Sequence, residues 1–259
     1  MAIVDETTHF EPIEESPSID LHQVDFRYEP FPMGWAADVI SPGYYEQLAA
    51  CWPPERLFAY KPGLGNKYSL SSVNNPEQYH AFLERSEPWQ MLYRLVKSEA
   101  FIEYVLECLR NHNIDLGLTA DQLNSRFEFS MLSGNGGNIV PHTDAPQKVI
   151  TLVIYIVRPG EWNPAYGGGT SALKPKDVRK TYNDLNIQLG FNEVECLYTY
   201  PFVPNGCVVF IKTFNSYHAV YPIMGREDLP RRSLTINLEL KQEPRVAYIM
   251  RNRSRFRLA

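Results

Sequence analysis

The second half of the chain is a series of short β-prone runs, and this series constrains the fold more than any other feature. FEFSML, VITLVIYIV, LYTYPFV, CVVFI and SLTINLEL are rich in Val, Ile, Tyr, Phe and Thr, side chains that fit a pleated, half-buried surface. SGNGGN, PGEWNPAYGGG and PIMGREDLP separate them, and their Gly and Pro are turn formers. Many short strands with turn signals between them predict an all-β sandwich or barrel for this half.

The first half reads differently. FRYEPFPMGWAADVI has the look of one or two short strands. Ser41 then precedes Pro42, a helix start, and Pro53-Pro54 stops the helix. Asn75-Pro76 starts another through HAFLERS. Ser86-Glu87-Pro88 starts a third, in which Leu92, Leu95 and Val96 recur at helical spacing. Phe101, Val105, Leu106 and Leu109 follow after a break near 98–100. The expectation is one domain over 1–259, mainly β with N-terminal helices. It comprises an extended arm at 1–25, a helical buttress with short strands at 26–120, a β core at 121–245 and a basic tail at 246–259. The tail lies in RVAYIMRNRSRFRLA, which carries five arginines and reads as a strand followed by a solvated basic end.

Composition narrows the function classes. At 259 residues, 44% hydrophobic and 21% charged, this is an ordinary globular chain. A formal net charge of -5 gives no electrostatic reason to seek nucleic acid or an anionic membrane. No stretch approaches the roughly 18 apolar residues needed to span a bilayer, and the acidic N-terminus does not read as a signal peptide. Cys51, Cys108, Cys196 and Cys207 are widely spread without CxxC pairing, so a reducing compartment is the simpler reading. The expected setting is cytoplasmic, with a small-molecule partner and a monomer or homodimer.

Six histidines are present, and two stand at strand margins in the β-rich half. His142 and Asp144 lie two apart on an extended segment, so both side chains face one side. They can offer an imidazole nitrogen and a carboxylate oxygen to one ion, and His218 would complete the set. Two His and one carboxylate suit a non-haem Fe(II) site with open positions. Alone, His-x-Asp is weak, because a histidine at a strand end is more often a hydrogen-bonded structural group.

Further features fall in order along the chain. GGGTSALKP, 167–175, lets backbone pass close to another element or a ligand; a plain turn is the competing reading. VPNGCVVFIKTFNSYHAV leads from a turn through an apolar strand to His218; an ordinary hairpin also fits. Arg231 and Ser233 share a face at the head of a strand, where a guanidinium and a hydroxyl can grip a carboxylate. That grip and the metal could hold two ends of one small dicarboxylate. Arg232 competes for the role, although it shares its face with Leu234, Ile236 and Leu238. Tyr155 is a candidate donor to the same carboxylate or simply a core tyrosine. Arg126, Glu128 and Ser130 alternate on FEFSM and its lead-in, as substrate contacts or as a solvent-facing edge. EWNPAY and SLSSVNNPEQY are candidate lid segments.

Together these residues resemble the 2-oxoglutarate and Fe(II)-dependent dioxygenase superfamily, in its prolyl-4-hydroxylase-like and phytanoyl-hydroxylase-like branches. The resemblance covers roughly 124–240, about half the chain. It rests on the order His142-x-Asp144, Gly168-Gly169-Thr170, Pro204 to Phe210, His218 and Arg231-x-Ser233. It implies a double-stranded β-helix (jelly-roll) core buttressed by helices, with His142, Asp144 and His218 holding Fe(II). It further implies 2-oxoglutarate as co-substrate, held by Arg231 with Ser233, Tyr155 and Thr170, and O2 as oxidant. The implied reaction is hydroxylation of an unactivated C–H of a natural-product intermediate, amino acid or sugar, with release of succinate and CO2. Halogenases of the superfamily lack the carboxylate ligand, so Asp144 points to hydroxylation, desaturation or ring formation. The gap from His218 to Arg231 is longer than usual, which leaves Arg231 and Arg232 both open as the carboxylate partner. Competing classes are a peptidyl or protein hydroxylase with an open groove, a non-oxidative cupin-type isomerase or sugar-binding protein, and a catalytically dead interaction module.

Overall fold

The computed structural model describes residues 16–63, 65–183 and 185–242. Among these residues twelve strands form two sheets, and every pairing between the strands is antiparallel. Eight of them form the core: β5 (Leu123–Leu132), β6 (Ile139–His142), β7 (Lys148–Tyr155), β8 (Thr170–Pro175), β9 (Val194–Tyr200), β10 (Cys207–Ile211), β11 (His218–Val220) and β12 (Arg231–Leu240). The larger sheet contains the order β10-β7-β12-β5, and the smaller one is β6-β11-β8-β9. The chain therefore crosses between sheets at almost every connection, as a double-stranded β-helix does. β1 (Asp25–Arg27) and β2 (Met33–Ala36) extend the larger sheet beside β10. β3 (Ala59–Lys61) and β4 (Lys67–Ser71) extend it beside β5.

Four helices cover the outer face of the larger sheet: α1 (Pro42–Ala50), α2 (Pro76–Arg85), α3 (Glu87–Lys97) and α4 (Glu99–Asn111). The expected break after α3 falls at Ser98, which caps α4 by accepting the Phe101 amide at 3.1 Å. Phe127, Phe129, Ile150, Leu152, Ile154, Leu234, Ile236 and Leu238 point to this side and are buried with Trp89, Leu92 and Val96. Side chains one position away on the same strands point between the sheets. There the larger sheet presents Ser130, Thr151, Arg231, Ser233 and Asn237, all buried.

Two sequence expectations need correction. Ile19, Leu21 and Val24, within the stretch read as a polar arm, are buried in the core, and the Asp20 amide donates to the Val39 carbonyl at 2.7 Å. EWNPAY is anchored at one residue: Trp162 packs on Phe202 and Tyr166 and is buried, whereas Asn163, Pro164 and Ala165 are exposed. SLS, at the head of the other supposed lid, belongs to β4. Residues 1–15 and the basic C-terminal segment from 243 onward lie outside the described residues. No helix among the described residues is long and apolar enough to cross a membrane.

Trp89 joins helices to sheet. It is fully buried, its ring lies 4.8 Å from Phe129 and 5.8 Å from Trp52, and its indole N–H donates to the Cys51 carbonyl. Trp89→Ala should cost about 3–5 kcal/mol, read by denaturant unfolding. A loss below about 1 kcal/mol would show that the helices do not depend on this contact.

Candidate metal centre

His142 ends β6 and His218 begins β11, and these two positions are paired across the smaller sheet. Strand pairing alone thus sets the two rings side by side, with centroids 4.4 Å apart. Asp144 follows two residues after His142. One ligand atom from each of the three lies within 4.8 Å of the others, and all three residues are buried.

Each ring has its second nitrogen committed. His142 Nδ1 lies 2.8 Å from the Val140 carbonyl and His218 Nδ1 lies 3.0 Å from the Ser216 carbonyl. A carbonyl only accepts, so Nδ1 carries the proton and Nε2 is left as a lone pair. Burial, reinforced by the neighbouring His218, lowers His142 to about 3. Burial also lowers His218, against the opposing pull of Asp144. Both imidazoles are therefore neutral donors. Burial pushes the Asp144 carboxyl up, but the Lys148 ammonium and the two imidazoles outweigh it and hold the group well below the usual carboxylate range. Lys148 Nζ donates to Oδ1 at 2.9 Å, and the Thr151 hydroxyl lies 2.8 Å from Oδ2. Two neutral nitrogens and one anionic oxygen, all within 4.8 Å of one another, fit a divalent first-row metal.

The three candidate ligands border a cavity of about 120 Å³ between the sheets. Arg231 also lines it and is 2% exposed. Its Nε donates to the Gly168 carbonyl at 2.5 Å and its Nη1 to Ser233 Oγ at 3.2 Å. Gly168 sits at φ 86, left-handed backbone that favours glycine. The guanidinium lies 5.0 Å from the ring centres of both Tyr155 and Phe202. No carboxylate among the described residues forms an ion pair with it, and burial lowers its pKa. The Tyr155 and Thr170 hydroxyls are 2.8 Å apart, and it is Thr170 that reaches the cavity wall. Arg232 points elsewhere and borders a surface hollow with Trp52, Glu55 and Glu161.

The candidate substrate contacts separate. Ser130 lines the cavity. Glu128 is buried beside it and saturated: Lys67 Nζ lies at 2.6 Å and Arg126 Nη2 at 2.9 Å. Burial would raise its pKa, but these two cations outweigh it and bring the carboxyl down to about 2. Arg126 borders a different hollow, with Lys97 and Glu239. Lys67, Lys148, Thr151, Thr235, Asn237 and Asn186 also line the cavity, and sequence reasoning missed all six. Thr235 and Asn237 carried a signal, since they continue the alternate positions begun by Arg231 and Ser233. Thr151 likewise shares its face with Tyr155. Lys67, Lys148 and Asn186 had none.

No family model and no curated protein sequence matches the chain. Its backbone is similar to solved structures at low identity. A prolyl-4-hydroxylase of Pseudomonas putida is 16% identical, with 81% of this chain and 93% of that one covered, at a TM-score of 0.47. HygX of Streptomyces hygroscopicus, solved with nickel, 2-oxoglutarate and hygromycin B, is 10% identical over 81% and 83%, at 0.47. An oxidoreductase of the 2OG-Fe(II) oxygenase family from Burkholderia pseudomallei is 13% identical over 80% and 84%, at 0.45.

Neutral buried histidines make acid stability a readout of the site. Unfolded histidine titrates near 6.5, above the folded values, so the unfolded chain binds more protons below that pH. Stability is then lost as pH falls from about 6.5 toward the folded pKa, by up to about 1.4 kcal/mol per pH unit for each histidine. Metal-free protein should weaken between about pH 6.5 and 5 in denaturant melts, and His142→Gln should flatten the slope. An equally steep slope in the variant would contradict the neutral assignment.

Proposed function

We propose that the protein is an iron(II)- and 2-oxoglutarate-dependent oxygenase that hydroxylates a C–H bond of a polar small molecule. One observation carries this reading: Arg231 is a nearly fully buried cation with no anionic partner among the described residues, and it lines the same cavity as the three candidate metal ligands. A buried charge with only neutral partners is costly, and a ligand carboxylate would relieve that cost through two parallel hydrogen bonds. A dicarboxylate that reaches the metal at one end and Arg231 at the other answers both features. A cupin-type site without oxidative chemistry has no use for such an arginine.

Iron(II) with bound 2-oxoglutarate supplies the oxidising power, by coupling reduction of dioxygen to decarboxylation of the oxoacid to succinate and CO2. The chain's own work is binding, orientation and exclusion of water. His142 and His218 present Nε2 without having to release a proton, because the carbonyls of Val140 and Ser216 hold their Nδ1 protons. Asp144 stays ionised through its contacts with Lys148 and Thr151. Ser233 steadies Arg231, and the Gly168 carbonyl holds its Nε, so the remaining guanidinium protons face the cavity. Of the paired Tyr155 and Thr170 hydroxyls, one donates to the other and the second keeps a proton for the ligand. Val153, Phe210 and Val220 wall the cavity with apolar surface, which keeps bulk water from the reacting groups. Ser130, Thr235, Asn237 and Asn186 are the polar surface left for a hydrogen-bonding substrate, such as a sugar, an amino acid or a hydroxylated natural product.

The test is Fe(II)-dependent release of succinate from 2-oxoglutarate. Arg231→Ala should raise the 2-oxoglutarate concentration needed for half-maximal release by about a hundred-fold or more, the scale of truncating one member of a buried charge pair. Arg232→Ala should leave it unchanged. The opposite pattern would move the carboxylate grip to Arg232, and iron-independent turnover would refute the oxygenase reading.

A further inference from the structure

The chemistry above needs only that Asp144 be ionised, yet an ammonium sits directly on it. The turn between Asp144 and β7 closes with the Lys148 amide donating to the Ala145 carbonyl at 3.0 Å. The side chain is thereby returned to Asp144 Oδ1 at 2.9 Å, four residues back. Glu239, the partner position of Lys148 on β12, lies where the register shifts and turns to a separate hollow with Arg126, at 4.0 Å. The ammonium lines the cavity instead and takes the carboxylate beside the two histidines.

We propose that Lys148 is a positioning residue that makes Asp144 a one-oxygen ligand and tempers the affinity of the site for divalent ions. The inference rests on the iron-oxygenase reading. An ammonium bonded to Oδ1 repels a divalent ion from that oxygen. The Thr151 hydroxyl at Oδ2 adds no net charge and uses one lone-pair direction, leaving another. The metal is thus directed to Oδ2. A carboxylate free to bind through both oxygens would fill a further position at the ion, and a chelating co-substrate plus dioxygen need every open one. Lys148 also places a positive charge 2.9 Å from an oxygen of the candidate ligand Asp144, which would weaken the hold of the site on a cation.

Calorimetric titration of the metal-free protein with Co(II), at fixed pH and ionic strength, tests this without turnover. Lys148→Met should bind Co(II) about ten-fold or more tightly than the unmodified protein. Lys148→Gln, which keeps a hydrogen-bond donor without the charge, should do so as well and serves if the Met variant does not fold. Lys148→Arg should stay near the original affinity. The visible spectrum of the Co(II)-loaded Met variant should lose intensity, as added coordination requires, and respond less to 2-oxoglutarate. Affinity within two-fold of the original, or weaker, in both Met and Gln variants would overturn the proposal while leaving the iron reading intact. Failure of the unmodified protein to bind Co(II), or equal binding by His142→Ala, would instead refute the iron reading and this inference with it.

Discussion

A β-strand shows its side chains alternately to two faces, and the larger sheet of this protein depends on that alternation throughout. On β12, Leu234, Ile236 and Leu238 pack under the helices, while Arg231, Ser233 and Asn237 face the smaller sheet. β7 repeats the division with Ile150, Leu152 and Ile154 against Thr151 and Tyr155. One set of backbones thus carries both the apolar core and the polar floor of the pocket. A register slip of one residue would exchange the two faces and destroy core and site together. The polar side chains of the pocket floor are therefore placed by the same backbone that carries the core.

Cross-strand pairing does the same for the candidate metal ligands. His142 and His218 lie 76 positions apart in the chain but opposite each other in the ladder. Their Nδ1 protons are bonded to carbonyls two residues upstream, on their own strand or its lead-in. Position, tautomer and charge state all follow from backbone already fixed by the sheet. Asp144 is different, because its loop placement leaves orientation to side chains, and Lys148 and Thr151 supply it.

The two-residue spacing that made Arg231 and Ser233 visible in the sequence is the spacing the sheet uses, so their arrangement was legible; His142 ends its strand, and Asp144 follows in the loop. Arg231 and Arg232 separate on the same ground: Arg232 shares the face of Leu234 and Ile236, and Arg231, on the other face, lines the pocket. The arm was misread because Ile19, Leu21 and Val24 lie among charged residues, and only tertiary contact reveals their burial. Arg126 was grouped with Ser130 because both lie on one face of β5. The strand is long enough that Arg126 stands well along it and meets Glu128 and a separate hollow. Lys67, Lys148 and Asn186 reach the cavity through turns and loops, where no periodicity announces them.

The most direct measurement is visible spectroscopy under anaerobic conditions. Addition of Fe(II) and then 2-oxoglutarate should produce a weak metal-to-ligand charge-transfer band, one to one with protein. The band should be absent in His142→Ala and in His218→Ala. No band in the unmodified protein, or a band that survives loss of either histidine, would contradict the account.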